Sequence, residues 1–100
     1  MKPEYTDLPL VRNQEKQRFE LRVKEQLALI EYRDYPGKIA LTHTEVEPAL
    51  EGQGAATAII EKTLAWIETQ ELQLIPLCPL VVAYLKRHPE WNRIVVPERR

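Results

Sequence analysis

Three short stretches hold the residue types that can do chemistry. The first is Glu51-Gly52-Gln53-Gly54-Ala55-Ala56, which follows a strand-like run and opens an amphipathic helix. Gly52 and Gly54 lack Cβ atoms, so successive backbone N–H groups there can face one ligand. A helix start adds its own unpaired N–H groups and a partial positive charge. The combination suits an anion; it suits equally a plain helix start with two flexible residues. The second stretch surrounds Cys78, the one cysteine of the chain, which stands between an apolar run and Pro79. A thiol at a helix start is biased toward the nucleophilic thiolate, whereas a thiol in a core is inert packing. The third is His43 with Glu45 two positions on. Strand side chains two apart share a face. The pair can therefore act as a general base with an orienting carboxylate, or form an ordinary polar outer face. No group of His, Cys, Asp and Glu has metal-ligand spacing, so no metal is expected.

These residues need elements to position them. Residues 18–24 alternate strictly, with Phe19, Leu21 and Val23 on one face, as a half-buried strand does. A turn at Glu25-Gln26 leads to a second strand over 27–33, with Leu27 and Leu29 on one face and Ala28, Ile30 and Tyr32 on the other. Asp34-Tyr35-Pro36-Gly37 is a strong turn signal, and a third strand follows over 38–46. The three should form an antiparallel meander. The period then changes. Over 52–70, Ala56, Ile59, Ile60, Thr63, Leu64 and Ile67 fall on one helical stripe, with Glu61, Lys62, Glu68 and Gln70 opposite. Residues 72–77 read as a fourth strand. Residues 79–88 read as a short helix that starts on Pro79 and is stopped by Pro89. Residues 91–96 read as a last strand. The order is βββ-α-β-α-β, an α/β fold with a mixed, mainly antiparallel sheet, one long and one short helix. A strand–helix–strand crossover of this kind is right-handed and gives a local parallel pairing. Residues 1–17 are polar with Pro3 and Pro9; they read as a lead-in with at most a short strand near Leu10-Val11-Arg12.

Composition narrows the classes. One hundred residues fit a single domain, 1–100, with one modest core. Hydrophobic residues make up 44% and charged residues 29%, as in soluble globular proteins. The net charge of −1 argues against a nucleic-acid partner, because phosphate backbones need a basic patch and Arg93, Arg99 and Arg100 are too sparse to make one. No apolar run is long enough for a membrane span or a signal peptide, and a lone cysteine cannot form an internal disulfide. The cytoplasm is the expected compartment, and a monomer or weak homodimer the expected state.

The residues also carry a family resemblance. Val46, Pro48, Gly54 and Ala56 match the pattern Val-x-Pro-x-x-(Arg/Gln)-x-x-Gly-x-(Gly/Ala), which resembles the acetyl-CoA loop of the GNAT superfamily of N-acetyltransferases. With His43-Thr44-Glu45-Val46, Pro76-Leu77-Cys78-Pro79 and Arg87-His88-Pro89-Glu90-Trp91 in order, the chain looks like the short, single-domain YjdJ-type branch of that superfamily, over roughly residues 18–96. The resemblance implies that Val46, Gly52, Gln53, Gly54, Ala55 and Ala56 hold acetyl-CoA or coenzyme A. It implies that Cys78 is a candidate acetyl-accepting nucleophile, and that His43 and Glu45 face the thioester. It also implies that Tyr84, otherwise a core tyrosine sharing a helix face with Val81 and His88, can protonate the departing thiolate. The implied activity is transfer of acetyl from acetyl-CoA to an amine acceptor whose identity the sequence does not give. A non-catalytic acyl-CoA-binding module and a small interaction domain with the same fold are the other readings. The chain departs from the pattern in three places. Glu51 stands where Arg or Gln is usual, Gln53 where Lys or Arg is common, and the pair of helices that larger members place between their first two strands is missing.

Overall fold

The structure, a computed structural model, describes residues 1–97. Chain order and sheet order coincide: the five strands lie β1-β2-β3-β4-β5 across one sheet. They are β1 (Val11–Asn13), β2 (Arg18–Val23), β3 (Gln26–Tyr35), β4 (Lys38–Val46) and β5 (Gln73–Pro76). The first four pair antiparallel, and β5 pairs parallel to β4. The parallel pair is joined by α2 (Ala55–Thr69), the crossover helix; α3 (Pro79–Arg87) follows β5.

Local chemistry explains most boundaries. The β3–β4 hairpin turns on Pro36-Gly37, with Gly37 at φ 70°, a left-handed conformation that glycine adopts without a Cβ clash. The β2–β3 turn falls on Lys24-Glu25, one residue before the expected Glu25-Gln26, since Val23 pairs with Gln26. A bulge interrupts β3–β4: Tyr32 pairs with Leu41 but Glu31 with His43, which leaves Thr42 as the extra residue. An extra residue shifts the alternation. Ile39 and Leu41 before it, and Thr44 after it, therefore all turn toward the core.

That core lies on one face of the sheet. Phe19, Leu21, Ile30, Tyr32, Ile39, Leu41 and Leu74 pack against Ala58, Ile59, Leu64 and Ile67 of α2 and Val81 and Leu85 of α3. Burying each large aliphatic side chain contributes about 1.5–3 kcal/mol, so the α2 stripe is the main fastening of the helix. The other face carries Arg18, Glu20, Glu31, Arg33, His43 and Glu45, and no helix among the described residues covers it.

Two expectations change. Residues 91–96 are not a strand. The segment Pro89–Ile94 is a 3₁₀ helix, and only Val95 bridges to Leu74, with Val96 N–H donating to Leu74 O at 2.9 Å. Pro89 fixes φ for a helical start, and a three-residue turn brings Trp91 and Ile94 to the same side, where both pack on the core. Residues 1–17 are more than a lead-in. They form α1 (Pro3–Thr6) and β1, and Tyr5 is only 1% exposed within the main core. Of the sparse C-terminal arginines, Arg99 and Arg100 lie outside the described residues.

Candidate functional site

β4 and β5 pair only from Lys38–Gln73 to Leu41–Pro76. Past that point Leu77 and Cys78 both donate their N–H groups to Leu41 O, at 3.1 and 2.9 Å, and the chain turns away into α3. The remaining half of β4, from Thr42 to Val46, has no strand beside it on that edge among the described residues. The two strands have parted.

A cavity of about 470 Å³ opens at this parting. Thr44, Glu45 and Val46 form one wall, Leu50, Glu51, Gly52 and Gly54 the loop above it, and Ala55, Ala56 and Thr57 of α2 the next, with Leu80 of α3 closing the side. The loop begins with Glu47, which continues the β3–β4 ladder. Its N–H donates to Leu27 O at 3.0 Å and its carboxylate accepts from Leu27 N–H. A 3₁₀ turn over Pro48–Leu50 follows. Gly52 at φ 77° and Gly54 at φ 84° then reverse the chain into α2. Gly54 caps α2 without any side-chain hydrogen bond, and the first helical bond is Ala58 N–H to Gly54 O at 3.0 Å. The N–H groups of Ala55, Ala56 and Thr57 thus have no acceptor within the helix, and all three residues line the cavity. Unpaired donors at a helix start favour an anion.

Val46, Gly52, Gly54, Ala55 and Ala56 are therefore brought together on one cavity. Gln53 is not among its lining residues: its side-chain amide donates to Ala49 O at 2.8 Å, and its carbonyl accepts from the Tyr5 hydroxyl at 2.9 Å. Glu45 lines the cavity; His43 does not, but its Nε2 lies 3.2 Å from the Glu45 carboxylate, and both side chains are well exposed.

Cys78 caps α3 but is 2% exposed, with Sγ 3.2 Å from Thr44 Oγ1. Thr44, not Cys78, faces the cavity. Adjacent strand residues point to opposite faces, so His43 lies across the sheet from the thiol that Thr44 touches. Tyr84 is held elsewhere: it is 4% exposed, donates to Glu61 Oε2 at 2.8 Å and stacks on His88 at 4.3 Å. Burial, and after it the Glu61 carboxylate, push its hydroxyl well above the usual tyrosine range, so it stays a proton donor to Glu61.

Sequence reasoning missed Thr44, Thr57 and Leu80 as cavity residues, and Tyr5 and Glu47 as the groups that fasten the loop. Thr44 was hidden by the bulge, which the sequence does not announce. Glu47, directly before Pro48, was a readable signal, since a residue before proline is extended and can prolong a ladder. Among the described residues no cluster of His, Cys, Asp and Glu could hold a metal ion, and no helix is long and apolar enough to cross a membrane.

The sheet is mixed, with a parallel pair that splays beside a helix start free of side-chain caps, an α/β architecture compatible with an acetyltransferase-type fold. The chain belongs to the GCN5-related N-acetyltransferase family, whose model matches residues 18–94. A comparison with curated proteins gave no match.

Proposed function

We propose that the chain binds acetyl-CoA in the cavity between β4 and α2 and transfers its acetyl group to an amine. The observation that carries this is the uncapped start of α2, whose free N–H groups open on a cavity set at the parting of β4 and β5. The residues fit the cofactor: Ala55, Ala56 and Thr57 would hold the pyrophosphate through their N–H groups, with Gly52 and Gly54 shaping the turn. Val46 and the unpaired edge of β4 would run beside the pantetheine arm. Bound acetyl-CoA supplies a thioester whose carbonyl carbon is open to attack by an amine. Glu45, oriented by His43, takes the proton that the attacking amine loses, because Glu45 lines the cavity and the exposed pair can pass the proton on to solvent. Thr44 lines the same space, with its hydroxyl against the Cys78 thiol.

A second reading keeps Cys78 as an acetyl relay. The thiol's place at the start of α3 and its contact with Thr44 favour it; its burial and its absence from the cavity lining weigh against it. Direct attack is the simpler fit. Tyr84, tied to Glu61, serves better as a link between α2 and α3 than as a proton source.

Calorimetric titration with CoA and release of CoA thiol from acetyl-CoA in the presence of simple amines test the proposal. Saturable binding with amine-dependent release is expected. Saturable binding without release under any amine would leave the non-catalytic acyl-CoA-binding reading standing, and no binding at all would remove both.

A further inference from the structure

The cavity proposed for the cofactor is short of positive charge. Its lining contains two carboxylates, Glu45 and Glu51, and no Lys, Arg or His. Backbone N–H groups supply dipoles but no net charge to set against a pyrophosphate. The Gln53 side chain is folded back on Ala49.

A cation does lie against the loop, and it comes from outside the stretch that the family shares. α1 rests beside the start of α2. Tyr5 is 1% exposed and donates its hydroxyl to Gln53 O at 2.9 Å, while Lys62 Nζ donates to Thr6 O at 3.0 Å. Lys2, at the N-cap of α1, is exposed. Its Cε stands 3.8 Å from where a Cβ on Gly54 would be, next to Tyr5 Cε2 at 3.9 Å. The ammonium is one bond further along. Among the described residues Lys2 joins no ion pair. A lysine stem laid along a surface keeps its charged head free to swing toward a ligand.

We propose that Lys2 is a ligand of the cofactor pyrophosphate, and that Tyr5 is the positioning residue that clamps α1 to the Gly52–Gly54 turn. The inference rests on the acetyl-CoA reading above. α1 thereby supplies the charge that the loop itself lacks, and Lys2 offsets the repulsion from Glu51.

CoA is titrated into wild type, Lys2→Ala, Lys2→Arg and Lys2→Glu at low and near-physiological salt, with thermal melts to confirm folding. Lys2→Ala should weaken CoA binding about three- to tenfold at low salt and flatten its salt dependence. Lys2→Arg should keep wild-type affinity, and Lys2→Glu should bind worse than Lys2→Ala. Dephospho-CoA, which keeps the pyrophosphate but lacks the 3′-phosphate, should lose the same factor. Tyr5→Phe should weaken CoA binding in wild type and much less in Lys2→Ala, since a positioning residue acts through its partner. Unchanged CoA affinity in Lys2→Ala at low salt overturns the proposal, as does a loss that vanishes with dephospho-CoA. Strictly additive effects of the two substitutions remove the clamp. Wild type that binds no CoA removes the acetyl-CoA reading as well, so the two failures are told apart.

Discussion

Gly54 holds φ at 84°, and a Cβ there would meet Lys2 and Tyr5 only at ordinary contact distance. Its substitution therefore acts through backbone strain. Gly54→Ala should cost about 1–2 kcal/mol of stability by chemical denaturation, and CoA affinity should fall because the turn re-aims its N–H groups. Wild-type stability in Gly54→Ala would show that the loop adopts another conformation at no cost. Glu51 makes the opposite test. It lines the cavity and is exposed, so Glu51→Gln should tighten CoA binding several-fold at low salt, with the gain shrinking as salt screens it. Equal affinities at low salt would mean that the carboxylate points into solvent. Cys78, at 2% exposure behind Thr44, should react with alkylating reagents far more slowly than a free thiol until the protein is unfolded. Rapid native alkylation, or a single acetyl adduct lost in Cys78→Ala, would restore the relay.

At the scale of elements, a part-buried hydrogen bond from Tyr84 to Glu61 adds to the apolar packing between α2 and α3. Tyr84→Phe removes the bond to Glu61, and a net hydrogen bond is worth about 0.5–1.5 kcal/mol. Stability should drop by that amount while acetyl transfer changes little; a large loss of kcat with intact stability would return Tyr84 to the reaction. The elements themselves were largely legible. Strict alternation of Phe19, Leu21 and Val23 and the 3.6-residue stripe of α2 set the two periods that distinguish strand from helix, and Pro36-Gly37 and Pro79 punctuate them. The loop glycines, the change of period after Pro48 and the shared face of His43 and Glu45 were legible too. What was not legible depended on tertiary contacts. Thr42 as a bulge follows from the pairing of β3 with β4, not from any local preference. Residues 91–96 carry strand-like valines, yet Pro89 and the packing of Trp91 and Ile94 made a 3₁₀ helix there. Tyr5 looked like part of a polar tail because its partner, the carbonyl of Gln53, is far along the chain.

For the whole molecule, the sheet face that no helix covers carries charged pairs. Glu20 sits between Arg18 at 2.6 Å and Asn13 at 3.1 Å. Partial burial raises the carboxyl's pKa, but the hydrogen bonds from Arg18 and Asn13 outweigh it, and the net shift is below the usual 4.5. A depressed folded pKa gives stability that is present above the unfolded value and lost as pH falls through the folded one. Glu20→Gln should thus be less stable than wild type at neutral pH, by under about 1 kcal/mol for an ion pair on the face of a sheet. The gap should close only below pH 4.5; a constant gap across that range would assign the loss to packing. The coincidence of chain order and strand order has a further, kinetic consequence. β1 to β4 close through short local turns, whereas β5 reaches β4 only after the whole of α2 is in place. Non-local closure carries the larger entropic cost, so the meander should assemble early and β5 with α3 should dock late. The parting of β4 and β5 lies on the seam between these two stages. Amide hydrogens of β5 should exchange through smaller openings than those of β2 and β3, and a ligand seated across the seam would slow them first.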